Sequence, residues 1–186
     1  MAFITEGQAR AAVGSRAHTE VAKALRASAS APMTSTFDVF LSHSYLDAVL
    51  IEGIRQLLVQ AGLSVYVDWI EDPQLDRSAV TAATAALLRQ RLRRCSSLIF
   101  VTSRNSSASK WMPWELGFFD AYRPGHVAIL PLVQAAGAAF TGQEYLGLYP
   151  YVEDIPFRGA PRGLGIFATD RTSATPIRLF ASSGHT

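Results

Sequence analysis

Four short apolar runs, separated by segments of helical period, constrain this chain more than any other feature. The runs are FDVFL (37–41), LSVYVD (63–68), SLIFVT (97–102) and HVAILPLV (126–133). After the first, Leu46, Leu50, Ile54, Leu57, Leu58 and Ala61 recur at three- and four-residue intervals, and Gly62 is a natural helix stop. Ser44 and Asp47 fit a capping box at the start of that helix. Gly53 inside it costs about 1 kcal/mol against alanine. A second helix is predicted over 77–94, with Ala85, Leu88 and Leu92 on one side, and a third over PWELGFFDAY (113–122). Strands joined through helices are parallel, and a strand apolar at nearly every position needs cover on both faces.

The pattern therefore predicts a small doubly wound, flavodoxin-like α/β fold with a parallel sheet of about five strands and right-handed crossovers. The fifth strand comes from YLGLYPYVED or LGIFAT. IPFRGAPRG between them reads as a turn-rich loop, and the C-terminal stretch as a short helix with a frayed tail. Residues 1–35 read as an N-terminal helix, over 5–27, and a linker, followed by the main domain at 36–186. The helix is expected to pack on that domain or to mediate self-association.

Composition excludes several classes. At 186 residues the chain holds one ordinary domain and a short appendage, and 49% hydrophobic residues are enough for a real core. A net charge of +2 gives no reason to expect nucleic acid or an anionic membrane as partner. No apolar run reaches the roughly 20 residues of a membrane span. Cys95 is the one cysteine, so no internal disulfide or cysteine-rich zinc site is possible. It reads as a core thiol. The four histidines do not share metal-ligand spacing, and no metal is expected. The N-terminus lacks the apolar stretch of a secretory signal, so the expected location is cytoplasmic. Arg89, Arg91, Arg93 and Arg94 suit a helix C-terminus and a solvated face.

In a doubly wound sheet, ligands sit beyond the carboxyl ends of the strands at a switch point. That brings loops 42–45, 69–76 and 103–113 together. The third leads into SSASKWMPWELGFFDAY (106–122). If Pro113 is the first helical residue, Glu115 is the third, where a glutamate closes a capping box and meets the helix dipole. Trp111 then precedes the cap and staples onto Leu116.

Three segments resemble a known family. FDVFLSHSYLD, VYVDWIEDPQLDR and SLIFVTSRNSSASKWMPWELGFFDA, in that order, are similar to bacterial Toll/interleukin-1 receptor (TIR) domains of the NAD-consuming kind. Trp111 and Glu115 match that family's Trp-x-x-x-Glu pattern. The resemblance implies that Glu115 is the catalytic carboxylate, with NAD as substrate and no cofactor. It also implies NAD contacts at Phe40 and Ser42, although Phe40 on its own reads as a core residue. Trp111 would wall the ribose or nicotinamide pocket. His43 would touch ligand or cap its loop. Asp68 would touch ligand or cap the next loop, and Trp69 would stack on a base, pack a neighbouring protomer or simply pack in place. Ser103 would bond substrate or cap a helix.

The resemblance further implies self-association of TIR protomers and Thoeris-type antiphage signalling, in which a separate effector senses the product. Two other classes fit parts of the pattern. One is a non-catalytic TIR adaptor, interacting through loop 69–76. The other is a nucleoside deoxyribosyltransferase-like enzyme, which the paired tryptophans and the DWIEDPQLDR loop disfavour.

Overall fold

Strands β2 (Phe37–Ser42), β3 (Val65–Tyr66), β4 (Cys95–Thr102) and β5 (Val127–Val133) are mutually parallel and lie in the order β3-β2-β4-β5. The computed structural model describes residues 2–13, 32–72, 80–140, 142–157 and 159–182. Along β2 and β4 the side chains alternate between two layers, as the pleat requires. Val39, Leu41, Ile99 and Val101 pack with α2 (Ala48–Gln60), beside α1 (Glu6–Val13). Phe40, Leu98 and Phe100 pack with α4 (Ala82–Arg93) and α5 (Trp111–Tyr122). Strand order reverses between β2 and β4, so the crevice beyond their carboxyl ends is the switch point.

The sheet is larger than the expected five strands. Among the described residues it has eight, because β6 (Tyr151–Phe157), β7 (Ala160–Phe167) and β8 (Ala174–Pro176) extend it, with β7 antiparallel to both neighbours. IPFRGAPRG is thus mostly hairpin rather than loop. Its neighbouring glycine Gly165 looks like a turn residue, yet it lies in β7, where a Cβ would come 2.2 Å from the Ile155 side chain. The glycine makes room across the pair.

The N-terminus is built into this sheet. β6 meets β5 at Ile129 and diverges before Pro131, which has no N–H to offer a partner. Strand β1 (Ile4–Thr5) pairs there with Leu132 and Val133, and the Ala2 carbonyl accepts the Asp154 N–H at 2.9 Å. The helix expected over 5–27 spans Glu6–Val13; residues 14–31 lie outside the described residues.

Helix α1 also explains Gly53. The α1 backbone crosses α2 so closely that a Cβ on Gly53 would stand 1.9 Å from the Ala9 carbonyl oxygen. The apparent helix flaw is a contact requirement. Gly53→Ala is therefore expected to lower stability by about 1–3 kcal/mol, despite alanine's better helix propensity. A thermal melt reads this as a drop of several degrees; a rise in Tm would show that α1 does not rest on α2.

Other boundaries shift for local reasons. A 3₁₀ turn (Tyr45–Asp47) precedes α2, and neither Ser44 nor Asp47 caps it with its side chain. The strand expected over 63–68 shortens to Val65–Tyr66, because Asp68 opens a one-turn helix, α3 (Asp68–Glu71). The rest of loop 69–76 beyond Asp72 lies outside the described residues. Helix α4 starts at Ala82, where Thr81 Oγ1 accepts the Thr84 N–H at 3.1 Å. The short C-terminal helix, α6 (Ile177–Ser182), is where it was expected.

The arginine cluster is not simply a solvated face. Arg91 is wholly buried. Its Nε and Nη2 donate to the two Asp72 oxygens at 2.7 Å each, and Nη1 donates to the Pro32 carbonyl at 2.9 Å. Tyr66 donates its hydroxyl to Asp72 at 2.8 Å. Burial, with Asp68 and Asp72 nearby, pushes the Tyr66 phenol well above its ordinary pKa. Arg89 and Arg93 lie over the rings of Trp114 and Phe118. Cys95 is buried, and burial pushes its thiol pKa up, as a core thiol requires. Among the described residues no helix is long and apolar enough to cross a membrane.

Candidate active site

Glu115 sits on α5, and the start of that helix decides where it points. Helix α5 begins at Trp111, not at Pro113, so Glu115 is its fifth residue. A fifth residue has no capping-box role, and the side chain is free to face the sheet. Pro113 stays in the first turn, where its missing N–H costs nothing. Trp111 lies within the helix rather than ahead of the cap, one turn from Glu115 on the same face.

The Glu115 carboxylate is buried beside the end of β2. Ser42 donates its hydroxyl to Glu115 Oε2 at 2.6 Å, and both residues are 0% exposed. Such a short bond to a carboxylate is charge-assisted and orients the acid. Trp111 is buried alongside, with its ring edge-to-face against Trp114 at 5.4 Å. Phe40 lies one pleat behind Ser42, stacked on Tyr66 at 5.0 Å. It is a core residue under the site. Phe40, Ser42, Trp111 and Glu115 thus share the α4/α5 face of the sheet.

The other candidates gather on the opposite face. His43 Nδ1 donates to the Leu41 carbonyl at 2.7 Å. Its Nε2 lies 3.3 Å from Asp68 Oδ1 without the alignment of a hydrogen bond, and its ring meets the Trp69 ring edge-on at 4.3 Å. Asp68 is the first residue of α3, preceded by Val67 at the cap position, and its side chain accepts the Trp69 N–H at 2.9 Å. His43, Asp68 and Trp69 therefore tie the end of β2 to the start of α3.

Ser103 is not beside Glu115. It donates to Asp47, which also accepts from the Asn105 side-chain amide at 2.7 Å. This bond pins the loop after β4 to the start of α2 and explains why Asp47 does not cap that helix. A polar cavity of about 290 Å³ opens beside this pair, lined in part by Glu6, Arg10, Asp47, Ser103 and Arg104. It lies on the α1/α2 side, and Glu115 does not line it.

The pairing of Asp72 with Arg91, which the sequence assigned to a solvated face, depends on tertiary contact. Counting by two along β4 from Phe100 puts Thr102 on the Glu115 face as well. Among the described residues no three His, Cys, Asp or Glu side chains gather as a metal site would need.

The chain is 56% identical over 117 residues to a Bacillus cereus (strain MSX-D12) protein named "Probable 3' cyclic ADP-D-ribose synthase ThsB'". That match covers 62% of this chain and 60% of the relative. It is 35% identical over 83 residues to "Putative cyclic ADP-D-ribose synthase TIR2" of Cytobacillus dafuensis, covering 44% of this chain and 22% of the relative. The chain thus spans less than two thirds of each relative's length. The TIR domain family profile matches residues 39–152, more than half of the chain, from within β2 to the start of β6. The sheet order, the switch-point crevice and that profile agree: the chain belongs to the TIR domain family.

Proposed function

We propose that the chain cleaves the bond between nicotinamide and ribose in NAD, and that Glu115 is the carboxylate at the reacting carbon. The observation that carries this reading is the buried Glu115, fixed by Ser42 at 2.6 Å at the switch point of the sheet. Both relatives bear names of cyclic ADP-D-ribose synthases, which favours the same substrate.

The chemistry suits one acid. Nicotinamide leaves NAD as a neutral molecule and needs no proton. Positive charge develops on the ribose, as in other glycosyl cleavage. An oriented carboxylate in a water-poor site stabilises that charge without reorganising. Attack by water gives ADP-ribose and a proton. Attack by a hydroxyl or ring nitrogen of the same molecule gives a cyclic isomer, the proton again passing to solvent. Excluding water favours the cyclic product. Trp111, buried beside Glu115, contributes to that exclusion.

The same burial makes access a controlled step. A carboxylate at 0% exposure meets substrate only after its cover moves. Self-association of protomers is the proposed trigger, in a cytoplasmic Thoeris-type system whose separate effector senses the product. The domain at 36–186 would carry this activity, and within the 1–35 segment strand β1 joins its sheet. The closed site also favours a second reading, a TIR adaptor that binds without turnover.

Purified protein incubated with NAD at high concentration separates the two. Chromatography and mass are expected to show nicotinamide together with a cyclic ADP-ribose isomer. ADP-ribose alone would make the chain a hydrolase, and no nicotinamide at any protein concentration would select the adaptor.

A further inference from the structure

Thr102 ends β4 at 5% exposure, and its Oγ1 is buried with no hydrogen-bond partner among the described residues. Folded proteins seldom leave a buried hydroxyl unpaired without a use for it. Its position is informative. Leu98 and Phe100 belong to the α4/α5 layer, so alternation puts Thr102 on that face too. Ser42 is the cross-strand partner of Phe100. Thr102 therefore lies one pleat beyond Ser42, towards the carboxyl ends of the strands, on the face where Ser42 holds Glu115. Ser103, the next residue, turns to the other face and is committed to Asp47.

We infer that the Thr102 hydroxyl is a substrate-contacting group of the Glu115 site, pairing with a ribose hydroxyl of the nucleotide. This rests on the NAD reading and deepens it. A threonine hydroxyl can donate and accept, as a sugar hydroxyl can, and it brings no charge that would compete with Glu115 for the developing cation. Among the described residues nothing pairs with the hydroxyl, and in the complex the sugar would do so. Such a group discriminates against substrates that lack the matching hydroxyl, because the site is then left unpaired.

The test compares wild type, Thr102→Val and Thr102→Ser by initial rates of nicotinamide release and by thermal melts. Valine keeps the shape and removes only the hydroxyl. It is expected to raise KM for NAD about tenfold with a smaller effect on kcat. Serine is expected to restore KM to within a few-fold. The melting temperature of Thr102→Val is expected to equal or exceed that of wild type, since an unpaired buried group is lost. NAD analogues lacking single ribose hydroxyls complete the cycle. For one of them, the penalty seen with wild type should vanish in Thr102→Val.

Unchanged KM and kcat in Thr102→Val, with wild type active, would overturn the assignment alone. So would a lowered Tm with unchanged kinetics, which would mark a hydroxyl bound to a structural water. A wild type that releases no nicotinamide would overturn the NAD reading and this assignment with it.

Discussion

Glu115→Gln is expected to reduce nicotinamide release from NAD by at least about a thousandfold while leaving the melting temperature near that of wild type. Glutamine has nearly the shape of glutamate, and its carbonyl oxygen can accept the Ser42 hydroxyl now donated to Oε2 at 2.6 Å. The fold keeps that bond; under the proposed chemistry, what disappears is the negative charge that would face the ribose as it becomes cationic. A loss of rate with Tm preserved thus isolates electrostatics from packing. Glu115→Asp adds a second arm. It keeps the charge but withdraws it from Ser42 by one methylene, so its activity should fall between wild type and Glu115→Gln. Equal rates for wild type and Glu115→Gln would remove Glu115 from the mechanism.

The second large effect is on stability. Arg91→Ala is expected to cost about 3–5 kcal/mol, because it strands the Asp72 carboxylate in the interior beside the Tyr66 hydroxyl. For a chain of this size that lowers Tm by about 6–20 °C. The pair itself has little net worth, since removing two charges from water nearly offsets their attraction. The double variant Arg91→Met with Asp72→Leu should therefore recover much of the loss. If the double variant is no more stable than Arg91→Ala, the cost lies in packing around Arg91 and not in a stranded charge. The pair also joins α4 to the residue just after α3 and, through the Pro32 carbonyl, to the segment before β2. Melts read against NAD turnover would show how far that anchoring serves the site.

Much of the fold was legible because its signals are local. The apolar runs at 97–102 and 126–133 have the period and length of buried strands, and both are strands within a residue or two. The spacing of Trp111 and Glu115 put both on one face of a helix, but the capping role expected of Glu115 does not hold. The start of α5 moved by one half turn, and that changed Glu115 from a capping residue into one aimed at β2. Ser103 shows the converse. Its type and loop suited substrate binding, but one residue of register in a strand turns a side chain to the other face.

By itself the sequence determined what depends on period, composition and short-range spacing. These are the parallel core, its two covered faces, the lack of a cysteine framework, and the pairing of Trp111 with Glu115 on one helix face. Only the tertiary structure decided what depends on distant segments meeting. Gly53 is needed because Ala9 arrives 44 positions earlier in the chain to rest on it. Arg91 is buried because Asp72 and the Pro32 carbonyl are there to receive it. Strand β1 fills the gap where β6 leaves β5. None of these partners lies within reach of helical or strand periodicity, so no local pattern can encode them. The close-packed, dehydrated interior selects them, because a polar group there must find its partner wherever the chain brings one.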